Sequence, residues 1–286
     1  MVGAINFLKA MLRKNLILSL IISLIFSAFS LLGDGIDKIW GSRPEELVAY
    51  ESLLFFDSYT HSQDITTDGE NFYFSSRFSL VKTDIDGKTL SAINLNAIPK
   101  ELKDKYGSAH IGGISYYDGK IYAALEDSKV WKYPIVAIYD AESLDYTGQY
   151  HILSADLQQK GLPWIAVDSE RGMLYSAQRD HSPELIAYDL ESFELVKTIE
   201  LSQKAHKIQG GDVHKGILYV ATQDEGQGVY AINPDSGEVT KCFDQNLPKG
   251  GEAEGLTVLE REDGALLHTL DLGPLFINAF LRHYRL

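Results

Sequence analysis

The sequence predicts an all-β fold: a β-propeller of five blades with four antiparallel strands each, six blades being the alternative. Three observations predict it. A unit of strands and Gly-containing turns recurs every 44 to 53 residues, at Asp68-Gly69, Asp118-Gly119, Arg171-Gly172, Lys215-Gly216 and Asp263-Gly264. Each unit holds short apolar runs with β-branched and aromatic residues, the pattern of strands. A helical solenoid of this period would need a 3.6-residue pattern, which the units lack. Short strands at this spacing are the signature of propeller blades.

Taken in order, the chain begins with Lys9, Arg13 and Lys14, followed by the uncharged apolar run 15–32. That layout predicts a signal peptide or a signal anchor over residues 1–33. Ala28 and Ser30 suit a signal peptidase, and the run is nearly long enough to span a bilayer. Both versions put the remainder outside the cytoplasm, periplasmic, secreted or held on the outer side of a membrane. Residues 34–51, with Gly35, Gly41 and Pro44, read as a linker, and 52–286 as the propeller domain. Residues 52–59 are a strand with no place in the first repeat. The fifth repeat stops one strand short, so this strand is expected to complete the last blade and close the ring, which removes two exposed edges.

The repeats share an inner grammar. First runs (around Ile65, Ile114, Val167, Val213 and Leu256) precede the Gly turn. Second runs follow it: Phe72–Phe74, Ile121–Ala124, Met173–Ala177, Ile217–Ala221 and 265–267. Third runs end in Asp84-Ile-Asp-Gly87, Tyr139-Asp-Ala-Glu-Ser143, Tyr188-Asp-Leu-Glu-Ser192 and Asn233-Pro-Asp-Ser-Gly237. Those are turn residues: Gly adopts φ > 0, and Asx and Ser side chains bond back to the backbone. Residues 95–106 form an insert between blades, predicted to carry a short helix after Pro99.

Two of these motifs, Leu185-Ile-Ala-Tyr-Asp-Leu-Glu-Ser-Phe-Glu-Leu-Val196 and Val229-Tyr-Ala-Ile-Asn-Pro-Asp-Ser-Gly-Glu-Val239, resemble the extracytoplasmic propellers of the quinoprotein-like and YVTN-type superfamily. The resemblance covers residues 52–286 and speaks for fold, since the motifs are strands and turns. The blade count is also similar to that of olfactomedin-type five-bladed propellers. That likeness implies protein-binding roles and a central calcium, although no local motif here is specific to them.

Composition limits the function. Net charge is −14, and beyond residue 33 the chain carries 40 acids against 23 bases, or −17. Such a surface repels phosphate backbones, which argues against a nucleic-acid partner. Cys242 is the single cysteine, so an intramolecular disulfide is excluded. Neither G-x-S-x-G nor H-E-x-x-H occurs, and no phosphate-binding loop is present.

A propeller gathers its site where the loops before first strands and between second and third strands converge. The positions that fall there are His61, Arg77, His110, Glu126, Trp131, Trp164, Arg179, Gln209, Gln223 and Glu252, the candidate ligand-binding set. A polar column at strand ends is also what any loop face shows. Arg77 and Arg179 fit rim salt bridges equally well, and Trp131 fits packing against its own blade. Asp64, Asp212 and Glu254 are the candidate metal ligands, calcium being the ion that oxygen donors suit; Glu254-Gly255 resembles the Glu-Gly with which related propellers begin a first strand. Backbone capping is the alternative for Asp212 and Glu254. Two functions follow as expectations. One is a non-catalytic propeller binding a small molecule, peptide or protein on the loop face, tethered to a membrane if residues 1–33 persist. The other is a calcium-dependent hydrolase or lactonase using the same face, with His61 or His110 as base.

Overall fold

The computed structural model describes residues 49–285, apart from 56, 128, 263 and 265. The predicted signal peptide or anchor, 1–33, and residues 34–48 of the predicted linker lie outside the described residues. Among the described residues no helix is long and apolar enough to cross a membrane.

Five four-stranded antiparallel sheets make the propeller. The first blade is β2 (Asp64–Thr67), β3 (Asn71–Ser75), β4 (Leu80–Asp84) and β5 (Leu90–Asn94). The second is β6 (His110–Tyr117), β7 (Lys120–Glu126), β8 (Ile135–Asp140) and β9 (Tyr146–Ile152). The third is β10 (Ala166–Asp168), β11 (Met173–Ser176), β12 (His181–Asp189) and β13 (Leu195–His206). The fourth is β14 (Ile208–His214), β15 (Ile217–Thr222), β16 (Gly228–Ile232) and β17 (Val239–Asp244). The fifth sheet runs β18 (Glu252–Val258), β19 (Leu267–Leu272), β20 (Ala279–Tyr284) and β1 (Ala49–Phe55). The count is five, not the alternative six. β1 pairs antiparallel with β20, Leu53 opposite Leu281 and Phe55 opposite Ala279. It starts at Ala49, three residues inside the stretch read as linker, and ends at Phe55 rather than at residue 59.

The strands alternate as the pleat requires, and here both faces are buried. On β7, Ile121, Ala123 and Leu125 pack between the first and second blades. Tyr122 and Ala124, which point the other way, pack between the second and third. Apolar wedges of this kind fill every gap between neighbouring blades. One such wedge is Val229, Phe243, Leu256 and Tyr284 between the fourth and fifth. Another is Ile65, Phe72, Phe74 and Leu281, joined by Leu53 and Phe55 of β1.

The turns show why the repeated motifs specify them. Asp140 Oδ1 accepts the N–H of Glu142 and Ser143 and the Ser143 hydroxyl. Asp189 Oδ1 does the same with Glu191 and Ser192. Asn233 Oδ1 takes the Asp235 and Ser236 N–H groups. The next residue swings into left-handed backbone each time, Leu144 at φ 60°, Phe193 at 59° and Gly237 at 75°. Only Gly237 is crowded, since a Cβ there would lie 1.9 Å from the Glu200 carbonyl oxygen. The predicted insert helix is α1 (Lys100–Tyr106), begun at Pro99 and ended by Gly107 at φ 73°. Its one buried residue, Leu102, anchors it to the wedge between the first two blades.

Candidate functional site on the loop face

The inner strands β2, β6, β10, β14 and β18 stand side by side around the axis. Side chains of one latch onto the backbone of the next. Thr66 Oγ1 accepts the Tyr116 N–H at 3.0 Å, and Ser115 Oγ accepts the Val167 N–H at 3.0 Å. Asp212 Oδ2 accepts the Val258 N–H at 2.9 Å and the Thr257 hydroxyl at 2.8 Å. Asp64 is the centre of this system. Its Oδ1 accepts the Ile65 N–H and its Oδ2 the Ile114 N–H, both at 2.8 Å, and the Leu256 N–H also reaches it. The carboxylate is fully buried. Glycines make room for it: a Cβ would stand 2.2 Å from Asp64 Oδ1 at Gly255 and 2.4 Å away at Gly210. Burial pushes the Asp64 carboxyl well above the ordinary range, against the pull of its backbone N–H partners.

This geometry settles where the expected metal ligands stand. The oxygens of Asp64 and Asp212 are occupied by hydrogen-bond donors. Among the described residues no three His, Cys, Asp or Glu side chains converge so as to hold a metal ion.

Glu254 differs from the other two. It is 4% exposed, and no hydrogen-bond or ion partner for it is found among the described residues. A bulge between Ala253 and Leu256 displaces it from the β18–β19 ladder. Burial pushes its carboxyl far up, and the charges of Glu252, Asp64 and Asp271 add to that.

Four of the predicted ligand-binding residues meet on the rim between the second and third blades. His110 and Glu126 are register partners at the ends of β6 and β7, with His110 Nδ1 3.0 Å from Glu126 Oε1. Arg179 donates from Nη2 to both oxygens of Glu126 at 2.5 Å, and from Nε to the Lys160 carbonyl at 2.9 Å. Trp131 lies against the guanidinium, 4.9 Å from ring centroid to Cζ. The loop carrying Trp131 is wound around Asp127. That carboxylate accepts the N–H groups of Lys129, Val130, Trp131 and Lys132. Burial acts to raise the Asp127 carboxyl, and these bonds more than offset it, so it lies below the usual range. Gly161, at φ 93°, closes the cluster: a Cβ there would sit 2.1 Å from Glu126 Oε2 and 2.8 Å from the Trp131 ring. Sequence reading missed Asp127 and Gly161. The Lys160-Gly161 pair before Pro163 was a turn signal that could have pointed to the latter.

The other candidates stand apart from that cluster. Gln223 Nε2 donates to the Ala253 carbonyl at 3.2 Å and approaches Glu252 Oε2 at 3.5 Å, between the fourth and fifth blades. Asp271, fully buried, is paired with Arg282 at 2.6 Å on the fifth blade. Arg77 is exposed, and Gln209 turns back toward the Lys207 carbonyl. Trp164 is fully buried, packed in the wedge between the third and fourth blades. His61 is stacked on Phe55, with ring centroids 4.2 Å apart, and is bonded to Thr60 Oγ1. Burial lowers its imidazole to about 4, against the bond it donates to the Asp57 backbone, so it is neutral at pH 7.

A device recurs on this face. Glu126 is the last residue of β7 and Asp271 the last but one of β19, and each carries an arginine partner, Arg179 and Arg282. Five residues after each comes an aromatic residue in left-handed backbone, Trp131 at φ 53° and Phe276 at 54°. Exposed Val130 adjoins the first, and exposed Leu275 the second.

The fold and this face define a five-bladed β-propeller with an acidic, aromatic-studded loop surface. The chain belongs to the family described as a repeat of unknown function (DUF6923), which matches residues 88–255. No curated protein matches it. Among solved structures it is similar to a chain of a nidogen/laminin complex, at 14% identity and TM-score 0.44, covering 68% of this chain and 66% of that one. It is also similar to Saccharomyces cerevisiae Sqt1, at 9% identity and TM-score 0.40, covering 77% of this chain and 57% of that one. The chain thus spans about two thirds or less of the length of these structures.

Proposed function

We propose that this chain is an exported, non-catalytic binding propeller that takes a small-molecule or peptide ligand on its loop face. The observation that carries the reading is the pair of aromatic residues, Trp131 and Phe276, in left-handed backbone beside buried acid–arginine pairs. Left-handed backbone costs a bulky residue about 1–2 kcal/mol. Strain of this sort is kept where surrounding structure fixes it and a surface is being presented. Export rests on the basic start and the apolar run 15–32, and tethering follows if that run is retained. Kinship with the quinoprotein-like and YVTN-type propellers belongs to the same proposal and rests on the two strand-and-turn motifs.

The test is a thermal-shift screen of small molecules and peptides, with hits mapped by amide chemical shifts. Hits should move amides of Glu126 to Lys132 or Gly273 to Asn278, and Trp131→Ala or Phe276→Ala should weaken them. Hits that map only to the outer strands or to the opposite loops would overturn the reading.

A further inference from the structure

The outer strand of the third blade departs from its counterparts. β13 runs for 12 residues, against 5 in β5, 7 in β9 and 6 in β17. It pairs with β12 as far as Glu200, opposite Glu184, and again from Ala205, opposite Ser182. In between it leaves its own blade and is tied to the fourth. The Ser202 N–H donates to the Gly237 carbonyl at 2.9 Å, and Ser202 Oγ accepts the Val239 N–H at 2.9 Å. Gln203 Nε2 donates to the Val239 carbonyl at 3.3 Å. Lys207 then returns the chain to the third blade in left-handed backbone, at φ 51°, with its N–H on the Asp180 carbonyl. Residues 201–206 are thus a strap held at both ends.

The strap borders a cavity of about 280 Å³. The fourth blade supplies an apolar wall, Val220, Tyr230, Ile232 and Val239, and the strap supplies Gln203, Lys204 and His206. The Tyr230 hydroxyl already donates to Asp224, so the wall offers a ligand carbon rather than a free donor.

The charge at this cavity is of one sign. Lys204 is the single charged residue among those that line it apart from His206, and no carboxylate is among them. Among the described residues the Lys204 ammonium has no hydrogen bond and no ion pair. Lys241, which lies over the Tyr230 ring, is by contrast paired with Asp244. His206 is fixed beside Lys204: its ring stands edge to face with that of His181, its register partner, with centroids 4.4 Å apart. An imidazole in either protonation state carries at least one N–H donor. The chain beyond residue 33 carries −17, so its surface at large does not retain anions. Retention here needs this local ammonium and N–H together with burial of an apolar body.

We infer that this cavity binds a small organic anion, a carboxylate on a short alkyl or aryl group. Lys204 supplies the counter-charge, His206 a hydrogen bond, and the wall from Val220 to Val239 packs the apolar body. The site lies between the outer strands of the third and fourth blades. It is separate from the Trp131 rim and does not depend on the proposed loop-face function.

The probes are hexanoate and benzoate. Hexanol is the neutral control, and acetate the control without an apolar body. The readouts are thermal unfolding and the ¹H–¹⁵N spectrum under titration. Both probes should raise Tm and shift the amides of Gln203 to Lys207, Val220 and Tyr230 to Ile232. Hexanol and acetate should bind more weakly than hexanoate by roughly fivefold or more. Lys204 is exposed, so Lys204→Gln should fold as the unmutated protein does. It should weaken hexanoate by roughly fivefold and leave hexanol unchanged. Val239→Phe should fill the cavity and abolish binding of both. Equal affinity for hexanol and hexanoate, or unchanged hexanoate binding in Lys204→Gln, overturns the inference. Comparing hexanoate with a short peptide that ends in leucine reads the source of the carboxylate. Tighter peptide binding identifies a chain terminus, and equal or weaker binding a free acid. Anions that shift only the Trp131 rim remove this inference and support the proposed function. Shifts at the strap with no ligand found for the rim do the reverse.

Discussion

Asp64→Ala is expected to be the most damaging single change in the ring. The carboxylate is fully buried and accepts the Ile65 and Ile114 N–H groups at 2.8 Å, with Leu256 N–H as a third donor. These donors belong to three blades, so removing the acceptor orphans backbone groups on all of them. A buried donor left unpaired costs about 1–3 kcal/mol. Three give a gross loss of roughly 3–9 kcal/mol, and release of a buried acidic group offsets part of it. The net expectation is a loss of about 3–5 kcal/mol, a third or more of the usual stability of a domain. Asp64→Asn keeps one acceptor oxygen and should cost about half as much. Equilibrium urea unfolding followed by circular dichroism measures both, with the m-value reporting whether cooperativity survives. A loss below about 1 kcal/mol in Asp64→Ala would show that the ring does not depend on this carboxylate, and the latch argument would fall.

Other outcomes follow from the same contacts. Gly161→Ala should cost about 2–4 kcal/mol, because its Cβ would drive into Glu126 Oε2. Gly148→Ala, also at positive φ (85°) but with nothing within 4 Å of its Cβ, should lose only the conformational part; equal losses would contradict the packing account. Glu254→Gln should stabilise the protein at pH 7 by about 1–3 kcal/mol. The folded carboxyl is raised, so its contribution is present below the unfolded carboxylate range and lost as pH rises through the folded value. The advantage of Gln should therefore shrink on acidification, and an advantage that stays constant from pH 7 to 4 would be the wrong result. Deleting residues 1–60 removes β1 and bares the outer edge of β20. It should give an insoluble or loosely folded chain, and cooperative unfolding at full stability would refute closure by this strand. Full-length protein found in the cytosolic fraction would defeat both the cleaved and the anchored versions of export.

The blades were legible because each is written several times. Tyr-Asp-Ala-Glu-Ser and Tyr-Asp-Leu-Glu-Ser specify the same turn through the same Asp oxygen, and a repeated local rule can be seen in sequence. β1 was legible for another reason, since the fifth repeat lacked one strand. Its start was not, because Ala49 to Glu51 carry no turn signal that separates them from the preceding polar segment. The loop face was read in part. His110 and Glu126 come together because they are register partners, and the strand pattern implies that. Arg179 joining them depends on how the third blade leans on the second, which no local pattern encodes. Trp164 and His61 were placed on the face by position along the chain, yet position does not give direction. Trp164 turns into an interblade wedge, and His61 into the stack of Phe55 and Phe74.

The acids of the inner strands fall into two roles. Asp64 and Asp212 share a pattern: each sits on an inner strand, bonds the N–H of the next residue and reaches across to a neighbouring blade. That makes them parts of the scaffold, and removing either should destabilise the fold. Glu254 breaks the pattern. At the corresponding bulge of the second blade, between Ile111 and Ile114, Gly112 and Gly113 occupy the places of Glu254 and Gly255. A carboxyl where another blade needs only glycine serves no turn and no latch. Where neighbouring repeats agree, the residue answers to the fold. Where one repeat departs and the departure is a carboxyl whose ionisation burial opposes, stability is given up at that point.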